Sequence, residues 1–562
     1  MTETQFVAGL AAFFILLFII LSYLDKLRRL HKIRQRLQYN YGRFRELDYS
    51  DEVLSVIGEY SKSKEKMIDD ITWNDLDMNS LFLSINHTWS FAGEDYLYYL
   101  LHVPKVDPDA WKEQEELIAY YQAHEKERTE MQLEFARIGK NHASSVYTYI
   151  MDSINLNTKV PPLHYLSFIL FIFSVVCTIL DPKQGVGLLA LVMGINAAAY
   201  FYKRKSLESS MQALQYFKKL VEGAKRITKK KLISSPGYHD RVERDYRKLK
   251  RLMGASAYFG PANWDSPSPL EMFLDYIRLI THMDCIFFYH CMKRLGQNID
   301  IVEEMFTTMG FLESMVAVGS LREALPYWCC PEFTEKKELV IRDAFHPSLP
   351  EPVPNSIGTE EGILITGSNA SGKSTFLKTV AMNVILAQSL HTCAANEYRG
   401  SWFHIFSSMA LKDSLYKGES YYIAEIKALK RVMEPVEEQA VLCFVDEVLR
   451  GTNTVERIAA STQVLKEFHK KGILCFAATH DIELTYLLED KYENYHFQEQ
   501  VADGEIVFDY LLYEGRATSR NAIQLLGILG YDQEIIDGAK AMVDGFLATG
   551  KWSSSDDQGK QG

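Results

Sequence analysis

The sequence predicts a multidomain chain: an α-helical membrane and core region, followed by an α/β domain. Three observations carry that expectation. Uncharged apolar runs of membrane-spanning length occur in the first 205 residues. Around them lie long stretches of helical period, such as Trp111 to Ile138, that few Gly or Pro interrupt. From about residue 336 onward, short apolar runs bounded by Gly and Asp alternate with helical segments.

A chain of 562 residues is too long for one ordinary domain. With 47% hydrophobic and 24% charged residues, it is neither disordered nor collagen-like. The net charge of -12 argues against a protein that coats nucleic acid with its whole surface, while leaving room for a local basic face. Eight cysteines without a Cys-x-x-Cys pair read as reduced thiols.

The first apolar run, Phe6 to Leu24, has no charge in 19 positions, and Lys26, Arg28, Arg29, Lys32, Arg34 and Arg36 follow it. It lacks the basic start and small-residue end of a cleaved signal peptide. The basic flank places the amino terminus outside and the following chain in the cytoplasm. Two further runs, Leu163 to Leu180 and Val186 to Tyr202, are separated only by the turn-like Asp181 to Gly185, which predicts a transmembrane hairpin. Lys159 before it and Lys203, Arg204 and Lys205 after it put both feet on the cytoplasmic side. Three spans result. The competing reading of each run is a buried core helix.

The segment from Lys203 to Arg251 carries sixteen Lys or Arg against five acids, a local charge of +11. Such a face suits anionic lipid or the phosphates of nucleic acid, and composition does not separate the two. Pro-rich stretches at 261–269 and 326–331 punctuate a second helical block. His282, Cys285, His290 and Cys291 share no clean helical face and are not read as a metal site.

The sharpest signal is Gly367-Ser368-Asn369-Ala370-Ser371-Gly372-Lys373-Ser374-Thr375, a complete Gly-x4-Gly-Lys-Ser loop between the strand Ile363 to Ile365 and the helical run Phe376 to Leu390. Its glycines let backbone amides close around phosphates at a helix end, Lys373 reaches the terminal phosphates, and Ser374 ligates magnesium. A second strand, Val441 to Val445, ends in Asp446 and Glu447, the acids a magnesium-assisted hydrolase needs to hold the ion and to polarise the attacking water. A third, Ile473 to Ala477, leads to His480, placed to contact the terminal phosphate. Three strand ends bearing Lys, Asp-Glu and His are expected to form one ATPase site with ATP and Mg2+.

These segments, Thr366 to Lys378, Asp446 to Thr454 and Ala478 to Leu484, resemble the MutS family of DNA mismatch-repair ATPases, and Asn369 inside the loop is characteristic. His346-Pro347, Val353 to Asn355 and Gly515 to Ser519 support the likeness, which covers roughly 340 to 545. A weaker similarity, Ile85 to Thr88 through Gly93 to Leu101, looks like the start of that family's helical core. The resemblance implies an α/β P-loop ABC-type ATPase domain working as a homodimer. Asp413 to Ile426 resembles the signature segment, which would offer Ser420 to the partner's ATP. Glu419 stands where many members carry Arg, and Leu449 where they carry Gly. Phe311 to Glu313 and Phe497 to Glu499 are chance matches to the family's mismatch-reading wedge, so mismatch reading is not expected, although DNA binding is implied.

The expected organisation is a transmembrane helix at 1–24, the outgoing part of a helical core and lever at 25–158, and the membrane hairpin at 159–205. The returning lever and core follow at 206–335, then the MutS-like ATPase domain with dimerisation helices at 336–550 and a disordered tail at 551–562. Both lever arms, about Pro108 to Asn157 and Lys203 to Met253, are expected to be helical over roughly 75 Å at 1.5 Å per residue. Expected partners are a second copy, the lipid bilayer, DNA, and an unknown membrane partner. An alternative is a membrane mechanochemical ATPase that acts on a membrane partner or lipid without DNA.

Overall fold

The computed structural model describes residues 3–62, 64, 68–104, 108–140, 142, 145–155, 159–254, 276–368, 371–409, 421–434, 440–450, 452–502, 505–517, 523, 526 and 530–549. The chain forms two compact units. The first comprises Met1–Lys66 with Phe82–Pro326, and the second Met67–Leu81 with Tyr327–Gly562. The expected tail lies outside the described residues.

In chain order the helices before the α/β part are α1 (Glu3–Asn40), α2 (Asp51–Ile57), α3 (Glu59–Lys62), α4 (Asp70–Asp75), α5 (Met78–Ile85), α6 (Phe91–His102), α7 (Pro108–Ala123), α8 (Glu125–Ile138), α9 (Val146–Asn155), α10 (Pro162–Leu180), α11 (Pro182–Lys229), α12 (Pro236–Met253), α13 (Met283–Gly296) and α14 (Ile299–Ala324).

The core of the first unit is built where α6 meets α14. Gly93 and Gly310 let the two helices approach: a Cβ at Gly93 would lie 2.0 Å from Glu313 Oε2, and one at Gly310 would lie 2.6 Å from Ala92 O. Glu313, fully buried, accepts the backbone N–H of Trp89 at 2.5 Å and that of Ser90 at 3.1 Å, capping the entry to α6. This is why Phe311 to Glu313 is a packing element. Beside it Glu94, also fully buried, receives Lys140 Nζ at 2.6 Å, His142 Nε2 at 2.6 Å and Asn86 Nδ2 at 2.6 Å. Burial pushes the Glu94 carboxyl up, but Lys140 and His142 outweigh it and hold it down at about 2. Removing the carboxylate leaves Lys140 without its counter-charge, so Glu94→Ala is expected to cost about 3–5 kcal/mol. Because the folded-state value lies below the ordinary 4.5, this stabilisation is complete above pH 4.5 and is lost as pH falls towards 2. Denaturant midpoints of wild type and variant should therefore differ at pH 7 and converge in acid.

The helix α1 runs unbroken through the first apolar run. The side chains of residues 3–16 within it lie outside the described residues. At its far end Arg34 reaches Glu130 of α8 at 2.6 Å. The hairpin forms, with a tighter turn than expected. Asp181 alone separates α10 from α11, its side chain accepting Lys183 N at 3.0 Å, and Pro182 supplies a first helical residue of suitable φ. Both helices are long and apolar enough to cross a membrane, and only 17% and 22% of their apolar windows is buried. At the foot of the hairpin, Asn196 Nδ2 bonds Ser167 O at 2.9 Å and Ile280 O at 2.8 Å. Tyr200 OH donates to Asp284 Oδ2 at 2.6 Å, and the ring nitrogens of His164 and His282 meet at 3.0 Å.

Neither expected arm is one helix. The outgoing stretch breaks at His124 (φ -115°, ψ 76°) and again after Ile138 at the left-handed Gly139, so α7, α8 and α9 are separate. On the return, α11 carries 48 residues from the hairpin turn to Lys229, then the chain reverses through Lys231 (φ 54°) to Pro236, where α12 starts. The helical period in the sequence was right, but isolated non-helical residues turn the chain without disturbing that period. The basic character of the return is also partly consumed. Arg226 pairs with Glu134, Lys230 with Glu130 and Glu134, Arg244 with Asp245 and Glu304, and Arg247 with Glu243.

In the second unit the strands are β1 (Glu332–Phe333), β2 (Leu339–Ala344), β3 (Asn355–Thr359), β4 (Gly362–Thr366), β5 (Glu397–Gly400), β6 (Phe403–Ser408), β7 (Ala440–Asp446), β8 (Leu474–Ala478), β9 (Tyr492–Ala502) and β10 (Glu505–Glu514). The helices are α15 (Lys373–Leu390), α16 (Tyr421–Val432), α17 (Thr454–Lys470), α18 (Ile482–Leu487) and α19 (Gln533–Thr549). A six-stranded sheet has the order β10-β9-β4-β8-β7-β6, parallel except for β10, and a four-stranded sheet has the order β1-β5-β2-β3. β4 and β8 are buried throughout, as the near-continuous apolar runs of a doubly covered parallel sheet require. The segment Met67–Leu81, which the sequence assigns to the helical part, belongs to this unit. Asp75 of α4 accepts Ser407 Oγ at 2.7 Å and Met409 N at 2.9 Å beside β6, and Asp69 before α4 receives Arg431 Nε at 2.7 Å.

Candidate functional site

The carboxyl ends of the neighbouring strands β4, β8 and β7 deliver the site, as expected where ligands bind outside the strand ends of an open parallel sheet. From β4 the chain turns through Gly367 (φ 149°) and Gly372 (φ 107°) into α15. Gly367 must be small, because a Cβ there would lie 2.8 Å from Phe497 O. Ser371 is buried, its hydroxyl unpartnered among the described residues, and Lys373 is only 6% exposed. The Lys373 ammonium is stowed against the loop, donating to Gly367 O at 2.8 Å and Ser368 O at 2.7 Å. Burial holds it below the usual lysine range although Asp446, Glu447 and Glu499 pull the other way. Ser368 Oγ hydrogen-bonds Glu499 of β9.

Seventy-three residues onward, Asp446 Oδ2 accepts Ser374 Oγ at 2.5 Å, so the two candidate metal ligands meet. Glu447 follows β7 with a left-handed backbone (φ 60°) that its N–H bond to Ala478 O (3.0 Å) secures. Its carboxylate faces His480 Nε2 at 3.0 Å and Arg450 Nε at 3.0 Å. Thr479 N bonds Ile365 O at 2.9 Å, tying the β8 end to β4, and Asp481 holds Arg457 with two bonds of 2.8 and 2.6 Å.

A pocket of about 430 Å3 opens here, lined by His346, Lys373, Ser374, Asp446, Phe497 and Tyr510 among others. That lies within the usual size for small-molecule sites, about 300–1,000 Å3. Amides at the start of α15, a lysine and a glycine-shaped turn fit a polyphosphate. The paired hydroxyl and carboxylate of Ser374 and Asp446 fit a hard divalent cation such as magnesium, which takes oxygen ligands.

Of the residues singled out from sequence, Gly367, Ser368, Ser371, Gly372, Lys373, Ser374, Thr375, Asp446, Glu447 and His480 come together around this turn and the neighbouring strand ends. Asn369, Ala370 and Ser420 lie outside the described residues. Phe497, read as a chance match, packs 5.9 Å from Phe376 and walls the pocket together with Tyr510, while Glu499 of the same β9–β10 hairpin accepts Ser368 Oγ. No local motif announces them. Asn355 bridges to that hairpin, donating to Tyr510 O at 2.9 Å and accepting Leu512 N at 2.8 Å.

Residues 363–546 match the family model described as MutS domain V. This part of the chain is similar to the MutS family. The proteins named DNA mismatch repair protein MutS from Thermus thermophilus and from Lactobacillus delbrueckii subsp. bulgaricus are each 26% identical to it, over 316 and 330 residues. These matches cover 55% and 56% of this chain and 38% of each relative. The protein of the same name from Streptococcus suis is 28% identical over 268 residues, 45% of this chain and 31% of the relative. The chain thus spans less than two fifths of the length of the relatives it matches, and the matched family model falls in the unit that holds the pocket.

Proposed function

We propose that this chain is a membrane-anchored MutS-type ATPase that binds and hydrolyses Mg-ATP as a homodimer to switch conformation. The observation that carries the reading is the convergence of Lys373, Ser374, Asp446, Glu447 and His480 from three strand ends. In it, Lys373 leaves its carbonyl partners to hold the terminal phosphates, and the amides before α15 cradle them. Ser374 and Asp446 hold magnesium, which neutralises phosphate charge. Glu447 orients the attacking water, and His480 contacts the terminal phosphate. Ser420 of each chain completes the partner's site. The full chain in detergent should hydrolyse ATP in a magnesium-dependent manner. A preparation that binds no nucleotide sinks the proposal.

In this reading α1, α10 and α11 span the membrane with the amino terminus outside and the ATPase unit in the cytoplasm. The reading includes an inherited DNA-binding role linked to mismatch repair or recombination; the support for it is that the similar proteins are named for DNA mismatch repair. Its check is salt dependence: the affinity of the full chain for DNA should fall steeply as salt rises.

A second reading, a membrane mechanochemical ATPase without DNA, is favoured by one feature. α11 runs unbroken from the hairpin turn for 48 residues, about 72 Å at 1.5 Å per residue, so motion of the helical unit is carried into the bilayer by a rigid rod. A cysteine placed at Lys183 in each chain of the dimer should crosslink to different yields with and without ATP. An unchanged yield leaves a passive anchor.

A further inference from the structure

The loop that follows Glu447 contains a second left-handed residue, Leu449 (φ 58°), a conformation unfavourable for a branched side chain. Such strain persists only where neighbours over-determine it. Here the neighbour is Glu425 of α16, 6% exposed, whose Oε1 accepts Leu449 N at 2.5 Å and Arg450 N at 3.3 Å. Its other oxygen is buried without a partner among the described residues. Val448 is held separately, its carbonyl accepting Ser461 Oγ at 3.1 Å. Arg450, whose N–H the clamp holds, turns its guanidinium back on to Glu447 Oε2 at 3.0 Å. From these contacts we infer that Glu425 is a positioning residue: it pins the strained loop so that Glu447 faces the pocket and His480.

The inference rests on the ATPase reading and adds a link to it. Glu425 lies five residues after Ser420, on the helix that follows the signature-like segment. A shift of α16 therefore pulls on the N–H groups of Leu449 and Arg450 and rotates Glu447. Burial pushes the Glu425 carboxyl up, and the two backbone N–H groups draw it back.

The test uses the full chain in detergent and four variants: Glu425→Ala, Glu425→Gln, Leu449→Gly and the double variant Glu425→Ala/Leu449→Gly. Misplacing a catalytic group by about 1 Å costs up to about 100-fold, so Glu425→Ala should lower kcat by roughly tenfold to a hundredfold. Nucleotide affinity, measured with a fluorescent ATP analogue, should stay within about twofold, because the phosphate cradle is untouched. Glu425→Gln should recover most of the rate, since an amide oxygen accepts the same two bonds. Glycine adopts the left-handed conformation without strain, so the alanine change should cost less kcat in the Leu449→Gly background than in wild type. Undiminished kcat in Glu425→Ala, equal losses in both backgrounds, or no recovery with Gln would each overturn the inference. A wild-type chain that does not hydrolyse ATP refutes the ATPase reading itself. A hydrolysing wild type with an indifferent Glu425→Ala refutes only the clamp.

Discussion

Glu447→Gln is expected to lower ATP turnover by about 100-fold or more while leaving ATP affinity nearly unchanged, because a general base contributes roughly 10²–10⁴ to a rate. The geometry separates the two effects. Glu447 touches His480 and Arg450, each at 3.0 Å, whereas Lys373 is held by the carbonyls of Gly367 and Ser368. Glutamine keeps the size and one acceptor oxygen, so His480 and the left-handed backbone at Glu447 retain their neighbours. What is lost is the negative charge that the proposed mechanism uses to draw a proton from water. Single-turnover hydrolysis and equilibrium binding of ATP, measured side by side, check this. Equal rates for wild type and variant would remove Glu447 from the chemistry.

Lys373→Ala acts on the other half of the site. Hydrogen bonds to a charged group are worth about 1.5–3 kcal/mol, so ATP should bind roughly tenfold to a hundredfold more weakly. Folding should suffer little by comparison, since among the described residues the ammonium hydrogen-bonds only the carbonyls of Gly367 and Ser368. The proposed dimer sharpens the expectation. Mixing Lys373→Ala chains with Ser420→Ala chains should restore one intact composite site per heterodimer and therefore part of the activity. Verified heterodimers without recovered hydrolysis would exclude completion of the site from the partner.

How far the site was legible depended on distance along the chain. Gly367 to Thr375 could be read because strand, turn and helix are contiguous, and each residue type has one physical task there. Asp446, Glu447 and His480 were legible as the ends of apolar strands, since a parallel sheet brings such ends together. Glu425 was not. A glutamate in a helix has no special spacing, and its task exists only because α16 lies against the turn after β7. The place of Phe497 in the pocket wall was illegible for the same reason: it arises only when β9 pairs with β4 and brings its ring beside Phe376.

The sequence by itself determined what local physics determines. Charge-free runs of 18 or so residues had to become the long helices α1, α10 and α11, and a glycine-rich turn before a helix had to present its amides. Tertiary structure alone decided where the chain turns and what each helix serves. Helical period survives a break at one residue, so the breaks at His124 and Gly139 divided the expected outgoing arm, while α11 stayed whole across the expected boundary at Lys203. Likewise α4, set among helices in the sequence, belongs to the sheet unit, because the partners of Asp69 and Asp75 lie more than 300 residues away at Arg431, Ser407 and Met409. Hydrophobic periodicity records that a face must be buried, and it carries no information about which distant surface will bury it.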